Sequence, residues 1–428
     1  MNAQRARFAV WFAILTVGGC RDPSDPSRVV APNFAVGGEA RPSVLVNPKM
    51  QGNGTATTIE EGIDKVDAGG KVLVLPGTYP ESLVIRKGLT LEAIGGESGS
   101  VVVAPPGTPD AAVRVATPDP VVIRGLTVKF TPDSGGAGIR GEGLVDLTVE
   151  RATVIAVKPP IGISGLISAR TNDAKVSGGR ARLVVRRSSL DGGFPANPAA
   201  QIFGITAGFD IDAVLEENVI RQTGGACIFV RMRDDLGGET NVDIVRNDLD
   251  ECHPLGRAGS ILLGPAAGFL PSPTDSVKAT GEVNIVGNTI RNSSGSCLVT
   301  SAIVYETFTG RIEHNRILGV VPPCATPSPR NLPAAIWVGS RPARGFPRVN
   351  VTVRFNDIEG NVQAGLRVGP NQTAPGLEAS CNWWGSANGP SGAGPGSGDA
   401  VVVETGATTP MFTPWATAPI AQTDATSC

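Results

Sequence analysis

The chain has 428 residues, 41% apolar and 18% charged, and its 37 Lys and Arg against 39 Asp and Glu leave a formal charge of −2. That apolar content builds a core rather than a disordered chain, and a near-neutral charge without a basic block excludes a nucleic-acid surface. Gly (55) and Pro (35) follow no collagen-like period and aromatics are only 5%, so many short β-branched strands divided by turns are expected.

The first twenty residues read MNAQRARFAVWFAILTVGGC. Arg5 and Arg7 precede a short apolar run from Phe8 to Val17. That run is too short to span a bilayer and reads as a signal peptide over residues 1–19. The stretch Val17-Gly18-Gly19-Cys20 resembles a bacterial lipobox. The resemblance implies that Cys20 carries a lipid. An ordinary signal peptide cut elsewhere is the alternative. Residues 20–43 are rich in Pro, Ser and Gly and read as a tether. A lipid anchor would then be the only membrane attachment and the cell envelope the expected location.

Next comes TTIEEGIDKVDAGGKVLVLPGTYPESLVIRKGLTLEAI, residues 57–94. Thr58 and Glu61 have capping-box spacing, and Ile59, Ile63 and Val66 line one face of a short helix. Such a helix would cover an otherwise open first coil. Beyond it one unit recurs: an alternating strand, an asparagine, one residue, then an aliphatic one. It appears at Asn218, Asn247, Asn288, Asn315, Asn356 and Asn382, with spacings of 29, 41, 27, 41 and 26 residues. Copies without the asparagine precede it around Gly125, Ala152 and Ser188. A base period near 27 residues with loop insertions is the sign of a solenoid, which grows by stacking and so remains one domain despite its length. Asparagine suits a fixed turn because it tolerates a left-handed backbone and its amide bonds neighbouring backbone. A β-sandwich would need hairpin turns, which are scarce here.

Residues 57–94 and the repeats resemble the pectin-lyase-like β-helix proteins of bacteria over roughly residues 57–415. The resemblance implies an all-β, right-handed parallel β-helix over residues 44–428, with a short N-terminal capping helix and a C-terminal cap at 381–428. It implies less about activity, because one fold hosts lyases, hydrolases, esterases and non-enzymes.

Without Cys20, six of the seven cysteines remain, and six allow fifteen connectivities. Adjacent coils of a β-helix lie about 4.8 Å apart, within disulfide range. Cysteines one coil apart are therefore expected to pair as Cys227–Cys252 and Cys297–Cys324, with Cys381–Cys428 pinning the tail; free buried thiols are the alternative. No metal-binding spacing of Cys and His is present, and two histidines and four methionines argue against a metal carrier.

The best charged constellation lies in residues 227–259: Arg231, Arg233, Asp234, Asp235, Asp250, Glu251, His253 and Arg257. By the resemblance, Asp234 and Asp235 would follow one strand of the groove sheet, with His253 and Arg257 before the next. Arg231, Arg233, Asp234, Asp235, His253 and Arg257 are the candidate catalytic residues of a Ca²⁺-assisted uronate lyase. In that chemistry acids hold the ion and an arginine takes the alpha proton. A solvated face with surface ion pairs is the bland alternative. The other histidine, His314, reads as a hydrogen-bonded turn residue. The family's hydrolases combine Asp-Asp with Gly-His-Gly motifs, and this chain lacks the combination. Trp383 and Trp384, in SCNWWGSANGP, read either as part of the C-terminal cap or as a sugar-stacking platform, with at most one ring entering the core.

Two functions compete. One is non-catalytic recognition or scaffolding of polysaccharide by an envelope-anchored, cofactor-free monomer. The other is a Ca²⁺-dependent polysaccharide lyase.

Overall fold

The computed structural model describes residues 43–49, 55–95, 99–132, 135–157, 163–170, 179–193, 201–232, 238–252, 259–265, 279–293, 301–320, 333–340, 349–361, 363–371, 376–420 and 428. All belong to the compact unit Ala40–Cys428. The expected signal peptide, Cys20, Cys297, Cys324 and nearly all of the tether lie outside the described residues.

Each coil contributes one strand to each of three parallel sheets, of twelve, ten and twelve strands. In a middle coil these are Ile211–Glu216 in the first sheet, Val219–Arg221 in the second and Ile228–Met232 in the third. Except for the end pairs Ser43–Val46 with Thr55–Ala56 and Pro390–Gly392 with Gly398–Val403, neighbours in these sheets are one coil apart in the chain and pair in parallel, as Leu183↔Ala213↔Val242 and Leu190↔Ile220↔Leu249 do. This is a parallel β-helix. The only described α-helix, Ile59–Lys65, is N-capped by Thr58, whose side chain accepts from the Glu61 N–H. Glu61 reaches back to the N–H of Thr57 rather than Thr58, and Lys65 first, then the bonds from Thr57, lower its pKa to about 2. Ile59 and Ile63 are buried, with Val66 at the C-cap.

The strands alternate because one face of each looks into the helix lumen. Ala213 and Leu215 point in, while Asp212, Val214 and Glu216 point out. Stacking repeats each inward position in register, giving apolar columns such as Ile205–Ile228–Ile261–Ile303–Ile336–Leu366. Outward positions also form rows. Glu92, Arg124, Glu150, Arg186 and Glu216 stand in register with alternating charge. Burial alone would raise the Glu150 carboxyl, but Arg186 and Arg124 outweigh it and hold it below its ordinary value.

The turn between the first and second sheets is the repeated signal. Asn218, Asn247, Asn288, Asn315, Asn356 and Asn382 are each at most 1% exposed. Each side-chain oxygen accepts the backbone N–H of the equivalent residue one coil earlier, from Ser188 N–H to Asn356 N–H, at 2.8–3.0 Å. Each amide nitrogen donates to a first-sheet carbonyl of the previous coil, as Asn288 does to Ile244 at 2.8 Å. From Asn218 to Asn356 it also donates to the next asparagine oxygen. The left-handed backbone falls one residue earlier than expected: Arg187, Glu217, Arg246, His314, Phe355 and Cys381 have φ between 52° and 59°. Asparagine is therefore used here for its amide, not for its tolerance of positive φ.

Cys227–Cys252 and Cys381–Cys428 are disulfide-bonded, with Cα separations of 5.4 and 5.3 Å. Asn288→Ala would orphan the Asn247 N–H and the Ile244 carbonyl in a dry turn. We expect it to cost roughly 2–4 kcal/mol, measured as a shift in urea midpoint; a loss below about 0.5 kcal/mol would contradict the ladder's structural role.

Candidate functional site

The outer face of the third sheet holds the one candidate catalytic residue the structure describes. Alternation sends Ile228 and Val230 inward and Phe229 and Arg231 outward, both half-buried. The Cys227–Cys252 bridge ties the start of this strand to the end of the second sheet in the next coil. The Arg231 guanidinium carbon lies 5.4 Å from the centroid of the Phe209 ring and 5.3 Å from that of Phe229. Phe203, from the preceding coil, stacks on Phe229 with centroids 5.2 Å apart and planes 27° from parallel.

Arg231 is flanked in register by glycines, Gly208 on one side and Gly264 on the other. A Cβ on Gly208 would lie 3.2 Å from the Arg231 Cβ, so the bare backbone there gives the arginine room. On the far side, a Cβ on Gly264 would lie 3.6 Å from the Cβ of Glu306. Glu306 is buried at 2% exposure and accepts from the Ser340 hydroxyl. Arg231, a glycine notch and a buried carboxylate thus follow one another along the sheet. Thr206 pairs with Phe229, and Leu262 with Phe229 from the opposite side, adding one hydroxyl and one aliphatic side chain to the patch of flat rings.

Arg233, Asp234, Asp235, His253 and Arg257 lie outside the described residues. Asp250 and Glu251 do not join Arg231. Asp250 ends a second-sheet strand and is tied to Arg291 and Asn292, while Glu251 accepts from Gln222. Among the described residues no group of three or more His, Cys, Asp or Glu is placed to hold a metal ion. Phe203, Phe209 and Glu306 were not singled out by sequence. The usable signal was an acid closing SAIVYE, the end of a strand buried at every position.

The tryptophan platform is corrected. Alternation does place the two rings on opposite faces, but both are buried. Trp384 is fully enclosed in the main core, and Trp383 sits in a small cluster with Phe355, Cys381, Ala416 and Ile420. The second ring is covered because the tail folds back over it, held by the Cys381–Cys428 bridge. Neither offers a face to a sugar. His314 sits at the turn just before Asn315, with φ 56°, and its ring stacks on Phe355, 5.4 Å between centroids and 10° from parallel.

No protein-family model matches the chain, and no curated protein matches it. Solved structures similar in shape include two described by name. The Dettilon tailspike protein (gp208) is 12% identical, with a TM-score of 0.42 over 84% of this chain and 66% of that one. The catalytic unit of a thermostable GH87 α-1,3-glucanase from Streptomyces thermodiastaticus strain HF3-3 is 15% identical, with a TM-score of 0.35 over 89% of this chain and 70% of that one. This chain therefore spans just under two thirds of the tailspike's length. Likeness this distant carries no argument about function.

Trp384→Ala should cost roughly 3–5 kcal/mol in urea unfolding, as for a large ring removed from a packed core. The same change at half-buried Trp415 should cost markedly less. Equal small losses would contradict the capping role.

Proposed function

We propose that the protein recognises a polysaccharide along the outer face of its third sheet and does not cleave it. The observation that carries this reading is the half-buried stack of Phe203, Phe229 and Arg231 beside a glycine notch. Flat apolar rings give a sugar ring a large contact area, and a guanidinium laid over them adds hydrogen-bond donors. Parallel coils make such a face long and regular, which suits a repeating polymer more than a small molecule.

In this reading the protein acts as a monomer, held in the cell envelope by a lipid on Cys20. What supports the anchor is the order of features in residues 1–20: basic residues, apolar run, small residues, cysteine. The helix would have the right hand that parallel crossovers prefer.

The test is a polysaccharide panel on the chain beginning at Arg21, with and without Ca²⁺. Retention on immobilised polymer, unsaturated products and new reducing ends are followed together. We expect retention of at least one polymer without turnover, weakened about tenfold or more by Phe229→Ala and by Arg231→Ala. Ca²⁺-dependent turnover lost in Arg231→Ala would overturn the non-catalytic reading in favour of a lyase. No retention and no turnover would overturn both.

A further inference from the structure

A cavity of about 370 Å³ opens on another side of the helix, at the turn between the first and second sheets. Three successive coils build it. Thr289, Arg316 and Asp357 stand in register at the start of second-sheet strands. Gly287, His314 and Phe355 occupy the turn position just before the ladder asparagine. The last wall is Ile420, from the tail that the Cys381–Cys428 bridge pins.

The gap has a local cause. The turn position carries a long side chain in the coil before, Arg246, and in the coil after, His314, but a glycine between them. Gly287 leaves the floor open where another side chain would fill it. The volume is at the low end of the range of about 300–1,000 Å³ for small-molecule sites, room for a single ring.

The lining then selects the chemistry. Phe355 and Ile420, 8% and 5% exposed, form an apolar wall. Asn288 and Asn315 also line the cavity, but their amides are committed to the ladder. The Asp357 carboxylate accepts from the Ile420 N–H, so the one acid in the lining is engaged by the tail. The remaining polar groups are the exposed Arg316 guanidinium and His314 imidazole and the half-buried Thr289 hydroxyl. Other outward arginines of this sheet are neutralised, Arg221 by Asp191 and Arg291 by Asp248 and Asp250. Arg316 makes no ion pair among the described residues. A guanidinium without an acid partner among the described residues, an imidazole laid flat on Phe355 and a hydroxyl beside them suit a planar anion attached to a compact body.

We propose that this cavity binds a small carboxylate-bearing ring compound, such as a single uronic acid or an aromatic acid, with Arg316 as the main contact to the carboxylate. The site is separate from the third-sheet face, and its failure would leave the polysaccharide reading untouched.

The experiment is a titration of the full chain with D-glucuronate and with benzoate, followed by calorimetry and ligand-observed NMR. D-Glucose and inorganic phosphate serve as comparison probes. We expect at least one acid to saturate with a Kd of about 1 mM or tighter, and glucose and phosphate to bind at least about tenfold more weakly. Arg316→Glu should weaken the acid about tenfold or more. Arg151→Glu makes the same charge change at an exposed turn position of an earlier coil, and it should leave the affinity unchanged. Arg316 is exposed, so its variant should keep the parent's far-UV spectrum and unfolding midpoint. The proposal is overturned if neither acid saturates, if glucose or phosphate binds as tightly, or if Arg316→Glu binds like the parent.

Discussion

A backbone N–H at a tight turn inside a stack of coils has no water to bond, and leaving it bare costs about as much as one or two good contacts. Here the side chain of the next coil takes it. Each ladder asparagine accepts a main-chain N–H of the coil before and donates to a main-chain carbonyl of that coil, so each coil satisfies the turn of the coil before. Where asparagine gives way to Ser188, the hydroxyl still accepts the Ala152 N–H at 3.2 Å, but it donates to the Arg186 carbonyl of its own coil, so the amide's donation to the coil before is lost. The ladder therefore fixes the register between coils, and everything outward-facing depends on that register.

A single register slip would turn every inward column outward. With the register fixed, outward residues stand in rows about 4.8 Å apart. On the first sheet the rows are used for alternating charge, from Glu92 to Glu216, and each carboxylate is offset by an arginine beside it. On the third sheet one row runs Gly208, Arg231, Gly264, and Glu306 lies across from the last. The two disulfides act at different places on this frame. Cys227–Cys252 fixes the strand that carries Phe229 and Arg231, and Cys381–Cys428 holds the tail over Trp383 and beside the His314 cavity.

Much of the frame was legible in the sequence, because a buried amide has few substitutes and so repeats visibly. The asparagine positions and the weaker copies at Ala152 and Ser188 follow from spacing, the capping helix from its capping box and apolar face, and Cys227–Cys252 from a separation of 25 residues, near one coil; Cys381–Cys428, 47 residues apart, was expected only as a pin for the tail. The positive-φ residue did not, since Arg187, Glu217, His314 and Phe355 are not residues that advertise such a turn. The tryptophan pair was half legible: alternation separates the rings, but the covering tail at Ala416 and Ile420 lies over thirty residues away. The aromatic patch around Arg231 was hidden for a different reason. Outward residues of the third sheet are themselves largely buried, so strands such as Ser301–Tyr305 and Ala334–Val338 show no polar alternation. The cavity at Arg316 needs Gly287, Phe355 and Ile420 together, residues spread over more than a hundred positions that only stacking brings to one place.

Residue-resolved hydrogen exchange on the native chain tests the central claim most directly. If side-chain amides close the turn, the backbone N–H groups of Ser188, Asn218, Asn247, Asn288, Asn315 and Asn356 will exchange as slowly as the strand amides of Ile244 and Ile285. Exchange at the rate of an open surface turn would mean that the asparagines do not hold the coils together, and the register on which both proposed sites stand would lose its physical basis.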